Sequence, residues 1–366
     1  MTYMEALRAI PDPRARNSTH DLTEILFSAL LAKMCGARNF TEIAIFVAEH
    51  IDELRKFIPF KSGAPSHDTY SAAFRMIDPK AFDTAFRLFM SEFGKQARLT
   101  AGRQFAVDGK CLRRAYDKGK AHMPPITVTV YDCDTLMGLT LAVGEKGGES
   151  KAATDALSLL SIKGVTITGD ALNCHRRFTQ VVREKGGHYA ITLKGNQSKL
   201  HKEAEAALEK ALDNPRTKYA STDDDAHGRS ETRLAVVFPF VQSPGSKTLV
   251  GLKAIGAIAS RRTVNGKTTL EVRLFALSKL WTPEKLLEIV RKHWLIENKL
   301  HWQIDTNMAE DDARTRKDNG PANLAILNRL ALNVFRDDPR KIPIRHKQLY
   351  ASWDINAFYT ALAHMR

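Results

Sequence analysis

Three acidic residues that lie far apart in the chain, Asp108, Asp170 and Glu297, are the candidates for chemistry. Asp108 lies in a strand-like run, Asp170 ends a second such run, and Glu297 lies in a stretch with helical periodicity. Carboxylate oxygens are the ligands that Mg²⁺ and Mn²⁺ prefer. We therefore expect the fold to gather the three around divalent metal. Taken singly, an Asp-Gly pair or an aspartate at a strand end is more often a turn or capping residue.

Glu297 lies within the segment Arg291-Lys-His-Trp-Leu-Ile-Glu-Asn-Lys-Leu-His-Trp302, which is predicted to continue one long helix. Apolar residues recur there at helical spacing and predict a buried face: Leu286, Ile289, Ile296, Leu300 and Ile304. Glu297 borders that face, one turn from His293 and one turn from His301. The three residues could also form a zinc site, but the adjacent His-Glu pair of the helical zinc proteases is missing.

Composition and charge favour a nucleic-acid partner. The chain has 366 residues, enough for two or three domains, with a formal net charge of +14 and a pI near 9.6. An excess of positive charge favours a polyanion, most simply DNA or RNA. The four cysteines form no Cys-x-x-Cys pair, which argues against a zinc ribbon or disulfide scaffold. With no secretory signal and no apolar run near the roughly 18 residues of a span, we expect a cytoplasmic, nucleoid-associated protein with no membrane partner.

Residues 1–95 are predicted to form a small all-helical domain. Asp21 is a candidate N-cap, with Glu24 as the answering acid of a capping box, and a second amphipathic helix is predicted from Phe40 to Phe57. Such a domain could recognise DNA ends or mediate dimerisation. It could equally be a helical cap over the next domain, because no helix has a dense basic face.

Residues 101–212 are predicted to form an antiparallel meander followed by a parallel strand–helix–strand crossover. Asp108 lies on the first strand of the meander, and Lys110 could reach a phosphate. Ligands of such sheets bind beyond the carboxyl ends of the strands, where Asp170 and Lys194 are expected. Asn196 or Ser198 is the predicted cap of the helix that follows.

The segment of about 213–282 is predicted to be a β-rich subdomain inserted into the core, with a hairpin at Asn265-Gly266. Its basic residues could contact phosphates or could protect exposed strand edges: Arg229, Arg233, Lys253, Arg261 and Arg262. After the Glu297 helix, a further helix is predicted from Pro321 to Phe335. Residues 337–366 are predicted to be a basic tail that ends in a short helix from Ile355 to Met365.

The order of these elements predicts an α/β fold with a ribonuclease-H-like catalytic core at residues 101–336. The first acid is in a meander, the second ends a parallel strand, and the third is on a helix after a β insertion. The acids of such a core bind two divalent ions about 3.5–4 Å apart, which activate water or a 3′-hydroxyl for attack on a phosphodiester.

A set of short motifs in fixed order carries a resemblance that covers nearly the whole chain. They are Pro65-Ser-His-Asp-Thr, Val107-Asp-Gly-Lys, Gly169-Asp-Ala-Leu, Leu193-Lys-Gly-Asn-Gln, His227-Gly-Arg-Ser-Glu-Thr-Arg, the Arg291–Trp302 segment, Glu310-Asp-Asp-Ala-Arg, and Asn323-Leu-Ala with Ala331-Leu-Asn. In these the chain resembles bacterial insertion-sequence transposases of the Asp-Asp-Glu type, in the ISAs-one or H-repeat-associated branch.

The resemblance implies that Asp108, Asp170 and Glu297 are the metal-binding catalytic triad, with two Mg²⁺ or Mn²⁺ ions as cofactors. It implies hydrolysis at the element's ends, followed by 3′-hydroxyl strand transfer into target DNA. The partners would be double-stranded DNA, both element ends and target, and a second copy of the chain in the DNA complex. The Tyr-x2-Arg-x3-Glu-x6-Lys signature of the wider family is replaced here: its positions hold Val290, His293, Glu297 and Ile304.

Nine residues are the candidate DNA contacts: Lys110, Lys194, Asn196, Arg229, Arg291, His293, Trp294, Lys299 and His301. Trp294 or Trp302 could stack on a base, and we expect one of the two to be buried instead. Two alternatives keep the same residues. One is a metal nuclease that does not transpose, and the other is an inactive, domesticated DNA-binding protein.

Overall fold

Nine strands form one mixed sheet that runs through the molecule. The structure is a computed structural model and describes residues 3–96, 103–115, 124–144, 147–226, 228–244, 246, 249–354 and 359. The strands are β1 (Gln104–Cys111), β2 (Ile126–Asp132), β3 (Met137–Gly144), β4 (Thr166–Gly169), β5 (His188–Leu193), β6 (Tyr219–Ala226), β7 (Arg229–Pro239), β8 (Ala254–Val264) and β9 (Lys267–Leu277).

The helices lie on both faces of this sheet and at its ends. They are α1 (Tyr3–Arg8), α2 (Leu22–Met34), α3 (Phe40–Glu49), α4 (Ile51–Leu54), α5 (His67–Met76), α6 (Pro79–Gln96), α7 (Glu149–Ser158), α8 (Arg176–Glu184), α9 (Ser198–Leu212), α10 (Pro283–His293), α11 (Trp302–Met308), α12 (Gly320–Asp337) and α13 (Ile344–Trp353). Shorter turns of 3₁₀ helix cover Ala171–Asn173, Gly195–Gln197 and Glu310–Asp312, and a π-helical segment covers Ile296–His301.

The strand order is β3-β2-β1-β4-β5-β9-β8-β7-β6. The first three strands pair antiparallel, and β4 and β5 run parallel to β1. The predicted meander and parallel crossover are therefore confirmed. Together with the helices they give a mixed α/β fold.

The segment predicted as an inserted β-rich subdomain is indeed built of strands, but these strands extend the same sheet. β9 pairs antiparallel with β5, from Ala190 opposite Leu277 to Leu193 opposite Leu274. This pairing satisfies the backbone groups of β5 that would otherwise form a sheet edge. The predicted hairpin is confirmed, since Asn265 and Gly266 join β8 to β9 with φ of 48° and 74°.

Helices cover both faces of the sheet around Asp108. Phe105 and Val107 point into one core, with α7, α8 and α9, whereas Ala106 points into a second core. The second core also contains the N-terminal helices, the π segment and α12. Since side chains alternate along a strand, Asp108 faces the same side as Ala106, toward the Glu297 segment.

The N-terminal helices share their core with the C-terminal part of the chain. Helix α12 is buried from Gly320 to Phe335 and packs against α2, α5, α6 and β3. Asp21 caps α2 as predicted, but Glu24 does not complete a capping box; it is buried and accepts the Phe60 backbone N–H. The division at residues 95–101 stays a prediction.

Three further differences from the predicted helices are local. α3 ends at Glu49 rather than at Phe57, and α9 begins at Ser198 without a side-chain cap from either predicted residue. The predicted helix between Ile355 and Met365 falls almost entirely outside the described residues, while α13 precedes it. No helix in the described ranges has the length and apolar character needed to cross a membrane.

Candidate active site

Asp108 and Asp170 lie side by side because their strands are neighbours. β1 and β4 pair in parallel with Val107 opposite Gly169, so the two aspartates are the next residues on adjacent strands. Both line one small cleft, together with Glu149 at the start of α7 and Asn173. The structure therefore brings together two of the three predicted acids at the edge where ligands of parallel strands bind.

Hydrogen bonds from the chain orient both aspartates. Asp108 Oδ1 accepts the Gly109 N–H at 2.9 Å. Asp170 Oδ1 accepts the Leu172 N–H at 3.1 Å and the Asn173 Nδ2 at 3.0 Å, so Asp170 is also the cap of its 3₁₀ turn. Hydrogen bonds from the protein thus hold one oxygen of each carboxylate.

Glu297 lies in the π segment and not in a continuous helix as predicted. α10 ends at His293, and the wider turn runs from Ile296 to His301 before α11 begins. Ile296, Leu300 and Ile304 recur every four residues, a spacing that drifts around a 3.6-residue helix and that a wider turn keeps on one buried face. Glu297 itself is exposed beside that face. Single π turns often mark functional sites.

Asp108 interacts electrostatically with the other two predicted acids. Burial, first of all, and the negative charges of Asp170, Glu297 and Glu149 together raise the pKa of Asp108 to about 7, against the opposing Gly109 hydrogen bond. Burial also raises the pKa of Asp170, which the N–H groups of its own turn and the Lys194 ammonium partly offset. A half-buried cluster of like charges is unfavourable by itself, and a cation would relieve it.

The donor set suits a hard divalent ion, since it consists of carboxylate oxygens. Within the described residues, however, no group of three or more His, Cys, Asp or Glu side chains is close enough together to hold one metal ion. Asp108 and Asp170 share the cleft, and Glu297 contributes its charge from the π segment. Their role as metal ligands therefore stays a prediction.

The two histidines that flank Glu297, both predicted DNA contacts, are partly buried and face groups of the protein. His293 Nδ1 hydrogen-bonds Thr168 Oγ1 at 2.9 Å, and His301 Nδ1 lies 3.6 Å from Asp108 Oδ2. Burial lowers the pKa of His293 to about 4 and that of His301 to about 3, so both rings are neutral at pH 7. The alternative zinc site fails on the same contacts, because each ring faces a different partner.

Lys110 is another predicted phosphate contact, and the structure describes its surroundings. It is buried, and its ammonium lies between carboxylates, 2.8 Å from Asp305 and 2.5 Å from Asp311. Such a group is not available to a phosphate. Nothing near Lys110 in the sequence indicates this, because its partners lie about 200 positions further along the chain.

The other predicted DNA contacts reach the surface near the carboxylates or on the sheet extension. Lys194 and Lys299 are exposed, and Asn196 Nδ2 bonds the Ala171 carbonyl in the Asp170 turn at 2.6 Å. Arg291 is 63% exposed and pairs with Asp224, while Arg229 pairs with Glu231 at the start of β7.

Both tryptophans near Glu297 are exposed, so the expectation that one is buried is wrong. Trp294 is 40% exposed and Trp302 is 58% exposed. The Arg273 guanidinium lies 5.7 Å from the centre of the Trp294 ring, a cation–π arrangement. The apolar face of the segment is complete without either ring, which is why neither is needed in the core.

Two residues of the site were missed from the sequence. Glu149 follows a glycine at the start of a helix, a common place for an acid, and only the fold directs it to the cleft. Arg329 interrupts the apolar pattern of α12 and is fully buried. A lone arginine within an apolar helix was the available signal for a buried ion pair.

Comparison with known proteins gives a consistent family. Residues 100–334 match a family described as "Transposase DDE domain", and residues 4–90 match one described as "DDE_Tnp_1-associated". The chain is 31% identical over 372 residues to "H repeat-associated putative transposase YhhI" of Escherichia coli (strain K12), covering 98% of this chain and 97% of the relative. It is also 31% identical to "Putative transposase YncI" of Escherichia coli O157:H7, covering 92% of this chain and 87% of the relative.

The match spans most of the chain, and the predicted acids lie within it. The resemblance inferred from the motifs is therefore confirmed: the chain belongs to the family of DDE transposases, enzymes that cut and join DNA strands.

Proposed function

We propose that the chain catalyses metal-dependent hydrolysis of phosphodiesters at insertion-sequence ends and then transfers the freed 3′-hydroxyl to target DNA. The observation that carries the proposal is the convergence of negative charge on Asp108 from Asp170 and Glu297, which lie 62 residues downstream of Asp108 and 127 residues further on. A transposase of this family needs such a cluster to bind its ions.

A ribonuclease-H-like core is part of the proposal. Three antiparallel strands followed by two parallel strands, in the order β3-β2-β1-β4-β5, support it. The strands β6–β9 then form an extension of that core, and residues 1–95 a helical partner that packs on α12.

Asp108, Asp170 and Glu297 would hold two Mg²⁺ or Mn²⁺ ions, which when bound activate the attacking oxygen and stabilise the leaving oxygen. The other contributions come from the protein groups around the carboxylates. The Gly109 and Leu172 N–H groups fix the two aspartates, and neutral His301 lies beside Asp108 without competing for its charge. Lys194 offers a cation next to Asp170 for a backbone phosphate.

Double-stranded DNA would continue from the cleft across the sheet extension. Alternate residues of β7 share one face; the charge of Arg229 interacts with those of Arg233 and Arg262, and the charge of Arg233 with those of Arg273 and Arg291. Closely spaced guanidinium groups repel one another, and phosphates bound between them would relieve this repulsion. Trp294, Lys299 and Asn196 are exposed and would be further contacts, and two copies of the chain would hold the two element ends.

The test is incubation of the purified chain with duplexes that carry the repeats flanking its gene, in Mg²⁺, in Mn²⁺ and in EDTA. We expect cleavage at the repeat ends with either ion and none in EDTA, and joined products when a target plasmid is added. A duplex with scrambled ends is the matched control. Cleavage without joined products would favour the nuclease alternative. If Asp108→Asn leaves every DNA product unchanged, the proposal fails.

A further inference from the structure

A partly buried group of charges surrounds Lys110, two residues after Asp108 on β1. Lys110 is 8% exposed, and its ammonium lies 2.8 Å from Asp305, 2.5 Å from Asp311 and 3.7 Å from Glu310. Three carboxylates within 3.7 Å of the ammonium favour its charged form. Lys110 is therefore a charged link between β1 and the chain after the π segment.

Arg329 connects the same group of charges to β2, the strand next to β1. Glu310 pairs with Arg329 at 2.7 Å, and both side chains are buried. Arg329 donates from Nε to Thr129 Oγ1 at 3.0 Å and from Nη2 to Thr127 Oγ1 at 3.3 Å. In the β1–β2 register, Thr129 lies opposite Asp108 and Thr127 lies opposite Lys110. Arg329 thus holds the two residues that are paired with Asp108 and with Lys110.

The positions of these residues join two distant parts of the site. Lys110 is two residues after Asp108, on the same face of β1. Asp305 lies in α11, directly after the π segment that carries Glu297, and Glu310 and Asp311 form the next turn. One ammonium therefore ties the segment bearing Glu297 to the strand bearing Asp108.

We propose that Lys110, Asp305, Glu310, Asp311 and Arg329 act as a clamp that sets the separation between Asp108 and Glu297. They are positioning residues, because they act through the carboxylates and touch no reacting atom. The proposal rests on the proposed function, in which Asp108 and Glu297 serve one metal centre. A buried ion network contributes little net stability compared with apolar packing, so fixing one geometry is the role it can serve best.

Two adjacent acids provide a matched pair of variants. Asp311 is 25% exposed and bound to Lys110, whereas Asp312 is 71% exposed and pairs with Arg114 on the surface. Asp311→Asn should weaken Mn²⁺ binding to the full-length chain by about 10- to 100-fold, the usual cost of losing a group that orients a ligand. Asp312→Asn should leave it within about twofold. Mn²⁺ titration followed by electron paramagnetic resonance measures the affinity, and thermal unfolding monitors the fold.

Lys110→Met tests the other end of the link. If the clamp acts as a unit, the double variant Lys110→Met/Asp311→Asn should bind Mn²⁺ no more weakly than the weaker single variant. DNA cleavage by the single variants should recover toward the parent rate at saturating Mn²⁺. A general loss of structure would not recover, because added ion cannot restore an unfolded chain.

The outcomes separate the clamp from the proposed function. If the parent binds no Mn²⁺ that depends on Asp108, the proposed function fails and the clamp with it. If the parent binds Mn²⁺ through Asp108, but Asp311→Asn and Lys110→Met bind it equally well, only the clamp is wrong. Should either variant melt well below the parent, Asp311→Glu decides: restored Mn²⁺ affinity supports the clamp, and parent-like unfolding with unrestored affinity overturns it.

Discussion

Replacing Asp108 by asparagine should make the metal-free protein more stable at neutral pH, while abolishing the proposed metal site. The Asp108 side chain is 22% exposed, and burial together with the charges of Asp170, Glu297 and Glu149 raises its pKa from 3.8 to about 7. The folded chain therefore binds this proton more tightly than the unfolded chain does. The stability that the protonated Asp108 allows is fully present below pH 3.8 and is lost as the pH rises toward 7.

The size of the effect follows from the shift of about three pH units. At roughly 1.4 kcal/mol per unit, ionisation of Asp108 costs on the order of 4 kcal/mol above pH 7 as an upper limit. An amide has no such ionisation. We expect Asp108→Asn to raise the free energy of unfolding by about 2–4 kcal/mol near pH 8, and by about 1 kcal/mol near pH 4.5.

Urea unfolding in EDTA at the two pH values measures these differences, with Asp213→Asn as the control. Asp213 is exposed at the end of α9, so its replacement should change stability little at either pH. Mn²⁺ at a hundred times its Kd should raise the stability of the parent by about 2.7 kcal/mol and leave that of Asp108→Asn unchanged, because the ion stabilises only a chain that binds it. Equal stability of Asp108→Asn and parent in EDTA at both pH values would refute the reasoning.

Three further predictions concern the surroundings of the cleft. Glu149→Gln should lower the pH at which Mn²⁺ begins to bind, because its charge no longer raises the pKa of Asp108; Mn²⁺ titrations across pH measure this. Arg329→Met should lower the free energy of unfolding by about 3–5 kcal/mol in urea, since it leaves Glu310 buried and unpaired. Trp294→Ala should not change thermal stability but should weaken binding to single-stranded or frayed DNA ends by about 1–3 kcal/mol in fluorescence anisotropy.

A specific result would contradict each of these three predictions. An unchanged pH midpoint in Glu149→Gln would mean that Glu149 does not act on the cleft. Arg329→Met/Glu310→Gln should recover part of the lost stability, and no recovery would place the cost elsewhere. Equal DNA affinity of Trp294→Ala and parent would remove Trp294 from the DNA path.

Local patterns were sufficient for the first two acids. Alternation along Gln104–Cys111 predicted which face Asp108 occupies, because side chains of a strand alternate. The buried run Thr166–Gly169 predicted that Asp170 would lie at a carboxyl end, where parallel strands leave room for a ligand. Their proximity follows from the β1–β4 pairing, which the predicted crossover from β4 to β5 does not specify.

Contacts between distant parts of the chain explain what could not be predicted. A lysine two residues after a candidate acid suggests a phosphate contact, and only the return of Asp305 and Asp311 to β1 buries it. The pairing of β9 with β5 is likewise a choice among sheet edges that no local pattern specifies. The π segment could not be recognised from the sequence, because apolar residues at intervals of four are also compatible with an ordinary α-helix.

The most direct measurement is anomalous diffraction from crystals of the full-length chain grown with Mn²⁺ and a duplex carrying an element end. The account predicts Mn²⁺ peaks in contact with Asp108, Asp170 and Glu297, and their loss in crystals of Asp108→Asn. Mn²⁺ bound elsewhere, with Glu297 directed away from the two aspartates in the DNA complex, would contradict it.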